Sequence, residues 1–120
     1  MDEIPEQLRN DVQQLQTMQQ QLQAITAQRQ QFELHSAEIA NALKEVEKAD
    51  ETAPIYRSIG TILVKVKGKE EVKKELSEEK EIVDLRINTF KKQEEILNGK
   101  ITPVAQRVSQ GLQRYNAKQS

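Results

Sequence analysis

The sequence offers few side chains that could carry out catalysis or bind a metal ion. It contains one histidine, His35, and no cysteine, so a metal site or a nucleophile paired with a base lacks its components. The 19 acidic residues are spread over exposed helix faces, where no cavity would perturb a carboxyl pKa. We therefore expect no enzymatic activity, no catalytic residues, no cofactor and no metal centre, with His35 at the surface or at the edge of a helix contact.

The basic residues and glycines do not indicate a nucleic-acid or phosphate site. The four glycines are too scattered for a phosphate-binding loop, and 18 basic and 19 acidic residues, mixed along most of the chain, give a net charge of -1. We interpret Lys65, Lys67 and Lys69 as solvated residues that discourage pairing between strand edges. No nucleic-acid partner is expected.

The composition is unusual for a globular domain, because 36% of the 120 residues are hydrophobic and only 3% are aromatic. Buried surface must come from narrow seams of Leu, Ile and Val. No apolar run approaches the ~20 residues of a membrane span, and the first residues, MDEIPEQ, are acidic where a signal peptide is basic. We expect a soluble, cytoplasmic protein that does not bind membranes.

The first half of the chain carries a heptad pattern, which predicts one helix over about residues 5–49, ~65 Å long. Pro5 is tolerated in a first helical turn, and no Gly or Pro follows it until Pro54. Two polar residues, Arg29 and Ser36, occupy seam positions. The apolar a and d positions are Leu8, Leu15, Met18, Leu22, Ile25, Phe32, Ile39, Leu43 and Val46.

A second seam predicts a helix over about residues 69–116. Within it, the passage ILNGKITPV combines a helix stop, Asn98-Gly99, with a helix start, Thr102-Pro103, so local rules favour a break. Because the seam stays in phase across this passage, we predict a continuous helix with a kink at 99–103. The seam consists of Val72, Leu76, Val83, Ile87, Phe90, Leu97, Ile101, Val104, Val108, Leu112 and Tyr115.

Between the seams, PIYRSIGTILVKVKG alternates β-branched and polar residues and predicts a β-hairpin over about residues 54–67. Gly60 suits the first central position of a type II′ turn, which pairs Ile59 with Ile62 and creates one apolar face. An isolated hairpin is marginal in water, so we expect it to join other copies in an oligomeric sheet or barrel. The alternative is a long turn that only caps a coiled coil. The oligomerisation residues are predicted to be Ile55, Tyr56, Ile59, Gly60, Ile62, Leu63, Val64 and Val66.

The hairpin makes the two helices antiparallel, which predicts a mainly α fold: a single long coiled-coil hairpin whose central β-hairpin joins an intersubunit β-barrel. Residues that face each other have numbers summing to about 121, so both termini meet at one end. This register brings Arg29 of the first seam near Glu94 of the second. We hypothesise that they form a partly buried pair that fixes the alignment of the helices.

The order helix, hairpin, helix and the phrase IYRSIGTILVKV, residues 55–66, closely resemble the β-class subunit of prefoldin, an archaeal and eukaryotic co-chaperone. The resemblance covers essentially the whole chain, although the heptads alone would match many coiled coils. It implies a hexamer of two α and four β subunits whose hairpins form two joined β-barrels. It also implies ATP-independent capture of unfolded client proteins at the ends of coiled-coil arms and delivery to a group II chaperonin.

Read onto this sequence, the resemblance places client binding at apolar residues near the two termini, where helices without tertiary support fray. The alternative for each residue is ordinary packing in the seam. A rival function is a structural coiled-coil tether or adaptor that binds specific folded partners. The candidate client-binding residues are Ile4, Leu8, Val12, Val104, Val108, Leu112 and Tyr115.

Overall fold

The computed structural model describes residues 4–66 and 68–119, which form two long helices and one β-hairpin. The elements follow the order α1 (Glu6–Lys48), β1 (Ile55–Ile59), β2 (Ile62–Val66) and α2 (Lys69–Gln119). This confirms the predicted fold class of a helical hairpin with a central two-stranded hairpin. Lys67, which the prediction includes in the β-hairpin, lies outside the described residues, and the intersubunit barrel stays a prediction.

The chain divides into two compact units, and both helices contribute to each. The terminal unit comprises the chain up to Arg29 together with the chain from Thr89 onward. The hairpin unit comprises Gln30–Asn88 and contains both strands. Each unit has its own small apolar core.

In the terminal unit, the core is the predicted heptad seam. Met18 of α1 and Val104 and Val108 of α2 are buried, and half-buried apolar side chains pack around them. Burial of an aliphatic side chain contributes about 1.5 to 3 kcal/mol, so a few such residues stabilise the pairing of the two helices. The surrounding residues are Val12, Leu15, Leu97 and Ile101.

The helix α2 continues through the passage that local rules would interrupt. Pro103 lies inside the helix, where it cannot donate a hydrogen bond to the carbonyl of Gly99, and an interior proline costs about 3 kcal/mol. The hydroxyl of Thr102 donates to the carbonyl of Asn98 at 3.0 Å. The next residue, Val104, is only 4% exposed. Packing of the seam on both sides of the passage therefore outweighs the local preference for a break.

In the hairpin unit, Ile39 of α1 and Val83 and Ile87 of α2 form the buried core. Half-buried Phe32, Leu43 and Leu76 surround them. The guanidinium of Arg86 lies 5.9 Å from the centre of the Phe32 ring, within the range of a cation–π contact.

The junction between α1 and the hairpin is held by two lysines from the start of α2. The ammonium of Lys69 donates to the backbone carbonyls of Glu47 and Ala49 at 2.9 and 3.0 Å, which satisfies acceptors that the end of a helix leaves without partners. Lys73 lies 2.6 Å from the carboxylate of Glu47, and this hydrogen bond lowers the pKa of Glu47. These contacts bring the end of α1 to the start of α2, as the short hairpin between them requires.

Polar side chains cross between the helices beside each apolar core. In the terminal unit, the carboxylate of Glu94 accepts hydrogen bonds from Arg29 and from the Thr26 hydroxyl, the latter at 3.0 Å. The Arg29 and Glu94 side chains are 21% and 16% exposed, so the predicted partly buried pair is confirmed. In the hairpin unit, the hydroxyl of Ser36, 8% exposed, donates to Asp84 at 2.6 Å.

The two glycines inside α2 should respond in opposite ways to alanine. A Cβ at Gly99 would meet no atom within 4 Å, so Gly99→Ala should gain about 0.5 to 1 kcal/mol of stability from higher helix propensity. A Cβ at Gly111 would lie 2.7 Å from Cδ1 of buried Leu8, so Gly111→Ala should lose about 1 kcal/mol or more. Urea unfolding at one protein concentration measures both, and equal stabilisation would contradict the close packing at Gly111.

The Arg29–Glu94 pair should make stability depend on pH. The hydrogen bond from Arg29 lowers the pKa of Glu94 below its usual value of 4.5, so its contribution is present above that pH and is lost as the pH falls through the lowered pKa. At pH 7, the free energy of unfolding of Glu94→Gln should be about 1 kcal/mol lower than that of the parent chain. This difference should become smaller at acidic pH, where Glu94 of the parent is protonated. Urea unfolding measured at several pH values tests this, with Glu95→Gln at an exposed position as the control. A difference in the free energy of unfolding that stays constant with pH would rule out the ionic contribution.

Candidate interaction surfaces

The β-hairpin has the predicted register and turn. Ile59 pairs with Ile62, Arg57 with Val64 and Ile55 with Val66. Gly60 has φ of 61°, whereas no described residue other than glycine has a positive φ. A positive φ at the first central position alone fits a type II′ turn and excludes type I′. The sequence ILVKV therefore places Ile62, Val64 and Val66 on the same face as Ile55 and Ile59.

Apolar side chains at the turn end of this hairpin are largely uncovered by the residues that the structure describes. Ile59 and Ile62 are 58% and 64% exposed, and Leu63, on the opposite face, is 70% exposed. At the other end of the hairpin, Ile55 and Val66 are half-buried. They line a cleft of about 550 Å³ together with Val46, Val72 and Leu76. The uncovered apolar surface is therefore concentrated near the turn.

The seven candidate residues near the termini all belong to the terminal unit, but they differ in exposure. Leu8, Val104 and Val108 are buried in the seam, at 4% to 8% exposure. In this conformation they could reach another protein only if the helices separated. Ile4 and Leu112 are each 44% exposed. The remaining two, Val12 and Tyr115, are half-buried.

A cleft of about 580 Å³ lies in the terminal unit, and its lining includes Pro5 and Gly111, the sequence neighbours of Ile4 and Leu112. Its apolar lining includes Pro5, Leu8 and Tyr115. One carboxylate, that of Asp11, lines it as well and is only 5% exposed. Asp11 accepts hydrogen bonds from the Gln7 amide at 3.1 Å and from the Arg107 guanidinium at 3.4 Å. The cleft thus combines apolar walls with charged groups.

Sequence reasoning missed two features of these surfaces. It assigned no role to Asp11, which occupies the d position three residues after Leu8 and is only 5% exposed. It also passed over apolar residues outside the seams. Leu34, Ile82, Leu85 and Ile96 are each more than 60% exposed. Because these residues lie outside the heptad positions, the sequence could have indicated that they are exposed.

The single histidine lies on the surface of the hairpin unit. Nε2 of His35 is 3.1 Å from a carboxylate oxygen of Glu79, and its other ring nitrogen is 3.8 Å from Glu38. Within residues 4–66 and 68–119, the histidine and carboxylate side chains form no group of three suited to a metal ion. Neither of the helices in that part of the chain has an apolar stretch able to span a bilayer.

The sequence matches known proteins over most of its length. A family model described as "Prefoldin subunit" matches residues 9–115. The prefoldin subunit beta of Archaeoglobus fulgidus is 45% identical over 108 residues, which cover 90% of this chain and 92% of that protein. The corresponding protein of Thermococcus onnurineus is 37% identical over 112 residues, which cover 93% of this chain and 96% of that protein.

The fold matches a solved structure as well. The crystal structure of the prefoldin beta subunit from Thermococcus strain KS-1 aligns with a TM-score of 0.81 and 34% identity, over 93% of this chain and 97% of that chain. These matches agree with the residues that carried the resemblance in the sequence, the hairpin phrase and the flanking heptads. The chain therefore belongs to the prefoldin family of co-chaperones, as a β-class subunit that assembles with other prefoldin subunits.

Proposed function

We propose that this β subunit captures non-native proteins through apolar side chains of its terminal unit, without ATP, and passes them to a group II chaperonin. It does so in the cytoplasm as part of a hexamer of two α-class and four β-class subunits. The observation that carries the proposal is the 44% exposure of Ile4 and Leu112 in a unit whose other seam residues are buried or half-buried. Unfolded proteins expose apolar groups that such side chains can cover.

The strength of each contact explains why several subunits are needed. Covering an aliphatic side chain contributes about 1.5 to 3 kcal/mol, and less for one already half-buried, so a single subunit would hold a client only weakly. Several subunits in one assembly raise the effective concentration of binding sites and increase avidity without new contacts. Weak individual contacts also allow stepwise release to a second chaperone. Capture and assembly are therefore interdependent in this proposal.

Assembly is assigned to the β-hairpin. Ile59 and Ile62 lie opposite each other at its turn and are more than half exposed, and an edge strand offers unpaired backbone groups to another strand. Hairpins from neighbouring subunits that closed into a barrel would cover both the apolar face and the edges. This supports the proposed barrel, with the α-class subunit and further β subunits as partners.

The proposed mechanism uses no catalytic residue, cofactor, nucleic acid or membrane. His35 is the single histidine of the sequence, and it lies beside Glu79 and Glu38 on an exposed helix surface. Its ionic and hydrogen-bonding partners among the described residues are these two carboxylates. We therefore expect client protection to be unaffected by added nucleotide.

Replacing two exposed apolar residues near the termini should weaken client capture. The variant Ile4→Gln with Leu112→Gln should need at least about tenfold more protein to suppress aggregation of a denatured test protein, because each change removes apolar contact area from every arm. The matched control is Leu34→Gln with Ile82→Gln in the hairpin unit, which removes side chains that are even more exposed, at 62% and 63%. Light scattering of the test protein measures protection; equal loss in both variants would contradict capture by the terminal unit.

Charges on the hairpin face should prevent assembly without unfolding the helices. Ile59→Asp with Ile62→Asp would place two carboxylates where we expect an interface, at a cost of several kcal/mol. After mixing with an α-class subunit, light-scattering mass should fall from that of a hexamer to that of smaller species, while circular dichroism keeps its helical signal. Leu34→Asp introduces a charge at an equally exposed apolar position and should leave the hexamer intact. A full-mass hexamer from the double variant would refute the role of this face.

A further inference from the structure

The end of α2 has a one-sided charge. Residues 96–120 contain four basic residues, Lys100, Arg107, Arg114 and Lys118, and no acidic residue. The net charge of the whole chain, -1, does not reveal this excess of basic residues, because the compensating carboxylates lie elsewhere in the sequence. The last part of α2 therefore carries a local positive charge, which Glu6 and Asp11 of α1 offset in part within the same unit.

Three of these cations lie on one face of α2 and line the cleft of the terminal unit. Arg107, Arg114 and Lys118 are spaced by seven and four residues, which places them along a single helix face. All three are exposed, and the apolar side chains of Leu8 and Tyr115 line the same cleft. Cationic and apolar groups are thus available to one bound segment.

Among the described residues, one carboxylate lines the cleft, and it already accepts hydrogen bonds within the chain. Asp11 is 5% exposed and accepts hydrogen bonds from Arg107 and Gln7, so it offsets part of the charge of Arg107. The ion pairs formed among the described residues do not include Arg114 or Lys118. These two cations remain to attract an anionic group.

We propose that this cleft selects client segments in which apolar side chains are interspersed with carboxylates. This inference rests on the proposed capture function and adds a substrate class to it. Pro5 and Tyr115 of the cleft wall contact the apolar side chains, while Arg114 and Lys118 pair with the carboxylates. Pairs between exposed charges are weak and screened by salt, so the preference is modest and depends on ionic strength.

Short fluorescent peptides provide the test. One probe alternates leucine with glutamate, a second alternates leucine with glutamine, and a third is polyglutamate without apolar residues. Fluorescence anisotropy with the hexamer of the full-length chain and an α-class subunit measures binding at ~0.05 M and ~0.5 M sodium chloride. The leucine–glutamate peptide should bind at least about threefold more tightly than the leucine–glutamine peptide at low salt, and equally at high salt.

The variant Arg114→Gln with Lys118→Gln should remove this preference and leave binding of the leucine–glutamine peptide unchanged. The control Lys74→Gln with Lys92→Gln removes the same charge from exposed positions of α2 and should retain the preference. Equal binding of the two leucine peptides by the parent would overturn this inference but not the capture function. Binding of polyglutamate as tight as that of the leucine–glutamate peptide would also overturn it, because it would indicate a general polyanion site. Failure to bind either leucine peptide would overturn the capture function as well.

Discussion

The structure depends on an apolar seam that is only one or two side chains wide on each helix. In each unit, three buried residues form the centre of the core, and no described side chain is completely buried. With so little apolar surface removed from water, the helices need additional stabilisation from polar contacts and from assembly. The same narrowness leaves apolar side chains such as Ile59 and Leu112 outside any core, where other proteins can cover them.

A uniform seam does not define its own register, because a shift of seven residues preserves every apolar contact type. Polar contacts between the helices define the register instead. Glu94 satisfies Arg29 and Thr26 together, and Asp84 accepts from Ser36 of α1 and Lys80 of α2. A shifted pairing would leave these side chains partly buried without partners, which costs more than their native contacts gain.

The features that could be predicted from the sequence follow either a repeat of apolar residues or a local conformational preference. Alternation and the preference of glycine for positive φ gave the hairpin register and the turn at Gly60, and heptads gave the seam and the Arg29–Glu94 contact. The sequence did not predict features that depend on the distance between helices. The need for glycine at position 111 arises from Leu8 of the other helix, and the carboxylate of Asp11, at a d position, accepts a hydrogen bond from Arg107, far away in sequence.

The exposure differences within the terminal unit change how capture should be understood. If clients bound Leu8, Val104 and Val108, each event would first have to separate helices whose seam those residues stabilise. Binding to Ile4 and Leu112, or to the cleft of the terminal unit, needs no such opening, since Ile4 and Leu112 are exposed and Arg114 and Lys118 line the cleft. The buried residues then act indirectly, because they hold α1 and α2 together and so preserve the cleft that both helices line. In this mechanism, a stable seam supports weak and reversible client contacts instead of competing with them.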